Sequence, residues 1–219
     1  MLEINKQVLG PVATNTYLVG DSESRQAVVI DPAWDGFSLA DTIKEGGWQL
    51  QSIWLTHAHF DHFGGLGELV AALDLEGHEG FFIGMHPKDS PLWKVKGGAI
   101  MFGIPLKPAP RPDHSFQEGE LLQLGAYEFV VHHAPGHSPG HVIFHSPGEK
   151  MLFSGDVIFN QGIGRTDLLG GSYRTLMDSI SRWVLPLPGE TRIYPGHGPE
   201  TTVADERDSN PFLRDLVHL

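Results

Sequence analysis

No cysteine occurs among the 219 residues. Disulfide frameworks, cysteine-ligated zinc sites and cysteine nucleophiles are therefore excluded, and a reducing compartment suits the chain. Basic residues are scarce: 15 Lys and Arg face 27 Asp and Glu, a formal charge of −12. Such a balance repels phosphate backbones, so nucleic acid is not an expected partner. Long apolar runs are missing as well, and no stretch approaches the ~18 residues of a membrane-spanning helix. The first residues, MLEINKQVLGPVATNTYLVG, lack the basic head and unbroken apolar segment of a signal peptide. The expectation is a cytoplasmic protein with no membrane partner. Its length suits one domain, 1–219, able to bury roughly 70% of the unfolded surface. Nothing in the sequence sets an oligomeric state.

What is present is a succession of short strand-like runs separated by Gly- and Pro-rich turns, with 27 Gly and 16 Pro in all. Runs at 4–9, 16–20, 27–31, 52–57 and 81–84 read as strands. Helices are predicted over 37–47 and 65–77 from their apolar spacing. Strand signals return in ELLQL, YEFVVHHA, HVIFH and KMLFSGD. A helix is expected at 173–184, then a strand at RIYPG and one or two terminal helices. Strands mixed with helices in two blocks imply a layered α/β or α+β domain. Between the blocks, 87–113 reads as an irregular, proline-rich connection.

The stretch THAHFDHFGG at 56–65 crowds His57, His59, Asp61 and His62 into six residues. His57 and His59 are two apart on an extended segment, so their side chains leave on the same side. Asp61 and His62 follow where a helix begins. Imidazole plus carboxylate suits zinc, iron or manganese, and four such groups on one loop exceed what a single ion takes easily. Three more turns match: His137 in APGHSPGH, Asp156 in FSGD and His197 in YPGHGP. All lie where a scaffold presents reactive groups, at strand ends.

Together these motifs resemble the metallo-β-lactamase superfamily, over nearly the whole chain. The resemblance implies an αββα sandwich, two mixed sheets face to face with helices on both outer faces. It implies two divalent metal ions, zinc foremost, with iron or manganese as alternatives. His57, His59 and His137 would hold one metal, and Asp61, His62 and His197 the second, with Asp156 bridging. Paired metals lower the pKa of a shared water towards ~7 and polarise a carbonyl, which makes Asp61 and Asp156 catalytic as well as metal-binding. Hydrolysis by such a bridging hydroxide needs no serine or cysteine nucleophile.

Within that family the absence of cysteine excludes the cysteine-ligand lactamases, and Asp156 argues against the lactamases that lack a bridging aspartate. GIGRTDLLGG at 162–171, together with NTYLV, HPKD and GHGPETT, resembles the short glyoxalase II-like branch. That implies thioester hydrolysis of the hydroxyacylglutathione type. The alternatives are an iron-dependent persulfide dioxygenase, using His57, His137 and Asp156, or a hydrolase of another ester or thioester. Persulfide dioxygenases typically carry a cysteine where this chain has His141. Only 22 residues follow His197, so a helical C-terminal domain like the one that supplies glutathione contacts in longer relatives is not expected. The expected partner is a small, anionic thioester. Lys94, Lys96 and Lys107, in a segment (87–112) of local charge +4, are candidates for steering it, aided by Arg165. Arg165 and Asp167 read equally as substrate-facing groups or as an ion pair shaping their loop. Asp31, before Pro32, is expected to brace the neighbouring loop.

Overall fold

The computed structural model describes residues 1–214. Its first half builds β1 (Leu2–Leu9), β2 (Thr14–Asp21), β3 (Gln26–Ile30), α1 (Gly36–Glu45), β4 (Gln49–Trp54), α2 (Phe60–Phe63), α3 (Leu66–Ala72), β5 (Phe82–Met85), α4 (Ser90–Lys94) and β6 (His114–Ser115). These six strands form one sheet in sequence order. β1, β2 and β3 pair antiparallel, whereas β3 to β6 run parallel. The second half adds β7 (Leu121–Leu124), β8 (Tyr127–His133), β9 (Val142–Ser146), β10 (Met151–Gly155), the small hairpin β11 (Ile158–Phe159) and β12 (Gly162–Ile163), then α5 (Tyr173–Trp183), β13 (Arg192–Pro195), β14 (Thr201–Thr202) and α6 (Val203–Ser209). The second sheet has the order β14-β13-β10-β9-β8-β7, with β10 and β13 its parallel pair.

Side-chain alternation explains the layering. In β3, Ala27 and Val29 face one apolar cluster while Val28 and Ile30 face another. The first cluster seats Leu39 and Ile43 of α1 and Leu66 and Leu69 of α3. The second lies between the sheets, where Trp54 meets Phe129 edge-on at 5.3 Å and Tyr17 meets Phe153 at 5.2 Å. On the far side, Ile143, Leu152 and Ile193 receive Leu176 and Ile180 of α5. Ser172 caps that helix, its hydroxyl accepting from the Thr175 N–H. The result is the expected helix–sheet–sheet–helix sandwich. No described helix is long and apolar enough to cross a membrane.

Two expectations need correction. The helix over 65–77 stops at Ala72, because Asp74 adopts a left-handed backbone, φ 51°, and breaks the turn. The 87–113 connection is irregular only beyond 102. Its first part holds a 3₁₀ turn at Pro87–Asp89, α4 and a second 3₁₀ segment at Lys96–Phe102. Pro87 and Pro91 stand in the first turns of their helices, where a missing N–H costs nothing. One terminal helix, α6, is present; an additional one would fall partly on 215–219, outside the described residues. The two-residue strands β6, β11, β12 and β14 were too short to leave a periodic signal.

Candidate metal centre

The ends of β4, β10 and β13 and the turn between β8 and β9 meet at one edge of the sandwich. Asn15 of β2 binds there: its backbone N–H donates to Gly196 O at 2.7 Å, and its Nδ2 to Pro195 O and Gly198 O. The Tyr17 hydroxyl donates to Pro195 O at 2.7 Å. These bonds lock the two sheets together where the histidines emerge.

His137 Nε2 lies 2.8 Å from His59 Nδ1 and 3.2 Å from His57 Nε2. The other nitrogen of His137 donates to Arg165 O at 2.8 Å. That of His57 meets Thr56 Oγ1 at 3.0 Å, while the Thr56 hydroxyl donates to Asp31 Oδ2 at 2.7 Å. The hydrogen-bond network therefore assigns a lone pair to each of the facing Nε2 atoms. Lone pairs crowded this closely repel one another and suit a shared cation. Burial, then the charges of His62 and His137, holds the pKa of His57 well below the ordinary value. Burial and His137 bring His59 down to about 3. Both are neutral imidazoles, the form that binds metal.

On the other side, His62 Nε2 stands 3.5 Å from Asp61 Oδ2 and 3.4 Å from Asp156 Oδ1. His197 Nε2 is 3.3 Å from Asp61 Oδ2 and 3.6 Å from Asp156 Oδ2, and Asp156 Oδ2 is also 3.4 Å from His137 Nε2. Asp156 thus stands between the two groups. Among the described residues, three sets of donor atoms converge: His57, His59 and His137; His57, His62 and Asp156; and Asp61, His62 and His197. His62 Nε2 and Asp156 Oδ1 are buried and have no hydrogen-bond partner among those residues. Burial opposes a proton on His62, yet the carboxylates of Asp156, Asp61 and Asp31 outweigh it and raise its pKa well above normal. Burial would likewise raise Asp61, but His62 and His197 bring it down to about 2. A pocket with this surplus of carboxylate and orphaned donor atoms fits divalent cations.

Two buried aspartates hold these groups in place. Asp31, at the end of β3, accepts from His62 Nδ1 (2.8 Å), Thr56 N (2.8 Å) and Thr56 Oγ1, so it braces the loop as expected and orients His62. Asp89 ties the His57–His62 loop to the His137 turn: Oδ2 accepts from Ala58 N at 3.0 Å and Ser138 Oγ at 2.7 Å, and Oδ1 from Gly140 N at 2.5 Å. Sequence reasoning passed over Asp89, which looked like one more acid in a turn. HPKD ahead of a proline-started helix was the available signal. Thr14, whose hydroxyl donates to Asp61 Oδ2 at 3.0 Å, was missed too. His141 accepts the Asp156 N–H at 3.0 Å and stacks on His57 at 4.7 Å. Gly196 is required by space, since a Cβ there would lie 2.3 Å from Asp156 Oδ1.

Above this floor opens a cleft of about 210 Å³ lined by His59, Asp61, His137, Asp156 and His197, and by Arg165. Arg165 is the one basic residue of the four proposed for substrate that the structure brings there. Its Nε and Nη2 donate to Asp167 at 2.8 and 2.7 Å. Lys107 pairs with Glu68, Lys94 lines a separate recess with Trp93 and Arg111, and Lys96 does not line the cleft although its neighbour Gly97 does.

Comparison with known proteins agrees with this architecture. The chain is 42% identical to the hydroxyacylglutathione hydrolase GloC of Haemophilus influenzae over 202 residues, covering 91% of this chain and 92% of that one. It is 34% identical to the mitochondrial persulfide dioxygenase ETHE1 of Homo sapiens, over 95% of this chain and 75% of that protein. The crystal structure of the BLEG-1 B3 metallo-beta-lactamase superposes with a TM-score of 0.88 at 38% identity, covering 97% of this chain and all of that one. Three different activities on one scaffold show that fold alone does not name the reaction. Residues 9–197 match the model of the metallo-beta-lactamase superfamily, and the chain belongs to that superfamily.

Proposed function

We propose that the protein is a dinuclear, metal-dependent thioester hydrolase, the reaction type of hydroxyacylglutathione hydrolases. The convergence of seven side chains on one floor carries the reading. His57, His59 and His137 would hold one divalent ion, and Asp61, His62 and His197 the second, with Asp156 shared. Zinc, iron and manganese all suit this nitrogen and oxygen set. Two such ions supply Lewis acidity toward a carbonyl and an activated water at neutral pH.

The remaining work belongs to the protein. Asp31 fixes the proton of His62 on Nδ1, and the Arg165 carbonyl does the same for His137, so that both present Nε2 to the floor. Asp61, kept ionised and held by Thr14, is the carboxylate placed to accept the proton lost by the attacking water. As the C–S bond breaks, that proton passes to the departing thiolate.

The persulfide dioxygenase reading rests on similarity, to relatives such as the 34% identical human enzyme. Against it stands His141, whose buried imidazole accepts the Asp156 N–H at the place where those enzymes typically carry a cysteine. Protein loaded separately with zinc, iron and manganese should be offered S-lactoylglutathione, a simple acyl thioester, a β-lactam, and glutathione persulfide in an oxygen electrode. Thiol release without oxygen uptake is the expected result. Oxygen uptake confined to the iron form, with no thiolysis product, would replace the hydrolase reading.

A further inference from the structure

The cleft has a second character that the metal floor does not require. Val12, Phe60, Phe102, Ile104 and Leu168 line it above the ligands. Phe60 and Phe102 pack together, ring centroids 5.4 Å apart and tilted by 41°. Phe102 is nonetheless half exposed, and the residues beside it in sequence, Ile100 and Met101, are 74% and 78% exposed. On the other lip Leu169, next to Leu168, is 77% exposed. Apolar side chains left in water around a concave site mark a surface that a ligand covers.

Positive charge is sparse at the same place. No lysine lines the cleft, and the Arg165 guanidinium is gripped by both oxygens of Asp167. Away from the metal floor, a chain of net charge −12 offers the distal part of an anionic substrate little side-chain attraction.

Building on the thioesterase reading, we propose that the group seated on this wall, next to the scissile carbonyl, is apolar and uncharged. It belongs to either the acyl or the thiol part of the substrate, and Phe102 and Leu168 are its specificity-determining contacts.

Two matched series of neutral thioesters test this. One lengthens the acyl group from acetyl to hexanoyl on N-acetylcysteamine; the other lengthens a simple alkyl thiol under a constant acetyl group. Each buried methylene is worth about fourfold in kcat/KM, and a slope of that order is expected in one series. A slope in the acyl series assigns the wall to the acyl group, and a slope in the thiol series to the leaving group. Phe102→Ser, at the end of the 3₁₀ segment Lys96–Phe102, and Leu168→Ser, in a loop, should flatten it. Flat profiles in both series would overturn the proposal, as would a preference of tenfold or more for S-lactoylglutathione over the lactoyl ester of N-acetylcysteamine. Should no thioester be turned over, the hydrolase reading fails alone. Calorimetric binding of alkyl ketones, with CH₂ in place of sulfur, then reads the wall directly. Affinity that climbs with chain length and drops in Phe102→Ser supports it; affinity independent of length sinks it.

Discussion

The floor and the wall of the cleft are built on opposite principles. Floor residues are buried or half-buried, sit at strand ends or in the short helix α2, and are braced by two aspartates that each accept three bonds. The wall is built mainly from the 3₁₀ segment and loop at 96–104 and the loop at 165–168, whose side chains are largely apolar and in part exposed. They touch at Gly97, whose φ of 61° lets its backbone lie against the His59 loop, where a Cβ would fall 2.3 Å from Phe60 N. Groups that bind ions must be placed within fractions of an ångström, and hydrogen bonds to Asp31 and to the Arg165 carbonyl orient His62 and His137 there. A wall that covers an apolar group needs only shape. Changes to the floor should therefore cost far more than changes to the wall.

The largest loss belongs to Asp156, whose carboxylate lies 3.4 Å from His137 on one side and 3.4 and 3.6 Å from His62 and His197 on the other. Asp156→Ala should lower metal content from near two per chain to well below one, and thioester turnover by about a thousandfold or more, since no water is activated. Elemental analysis that still finds both metals would remove the shared assignment. Next comes Asp31, which touches no proposed metal but orients His62. Asp31→Asn should weaken metal binding by about 10- to 100-fold, read by chelator competition, with the fold retained. An unchanged affinity would mean that His62 needs no bracing.

Asp89 separates mechanical from chemical support. Asp89→Ala strands the Ala58 and Gly140 N–H groups in a buried place, at a cost of about 2–4 kcal/mol, measured by denaturant unfolding of the metal-loaded protein. A midpoint like the parent's would show that the two loops hold together without the clamp. His86, beside it, adds a pH effect. Burial, helped by His133 and Lys88, brings its pKa down to about 4, and its ring lies flat on His133 at 4.1 Å. Between an unfolded value near ~6.5 and about 4, the unfolded chain takes up a proton that the folded one refuses. Stability is therefore full above that window and falls as pH drops through it. His86→Phe should make that fall shallower by up to about one proton; parallel curves would show that His86 titrates freely.

The contrast also explains what could be read from sequence. His57, His59, Asp61 and His62 are neighbours in the chain, and His137, Asp156 and His197 each sit in a short Gly- or Pro-marked turn, so metal chemistry was legible from residue type and spacing. Strands mixed with helices made a layered domain legible, whereas the sandwich came from the resemblance to the superfamily; AVVI carries that layering in the structure, its two faces entering different cores. Asp31 could be given a bracing role because it precedes a proline at a strand end. Asp89 could not be recognised, since its partners, Ala58, Ser138 and Gly140, come from distant segments and two of them offer only backbone N–H groups. The wall was hidden for a similar reason. Val12, Phe102, Ile104 and Leu168 are ordinary apolar residues until the fold gathers them around one opening.

The smallest effect is expected where the sequence placed the most charge. Lys94, Lys96 and Lys107 belong to a segment of +4 in a chain of −12, a natural place to seek attraction for an anionic substrate. In the structure Lys107 is spent on Glu68 and also lies 5.7 Å from the centre of the Phe37 ring. Lys94 opens on a different recess, and Lys96 stays outside the cleft lining. What remains is their long-range field, which ordinary salt screens beyond about 8–10 Å. Replacing all three by glutamine should therefore change KM by less than about twofold at physiological ionic strength, for S-lactoylglutathione and for a neutral thioester alike. Arg165→Gln, inside the cleft, should change it more. A triple variant that loses affinity for the anionic ester alone, and recovers it in high salt, would restore the lysines as steering groups and give the wall a charged neighbour.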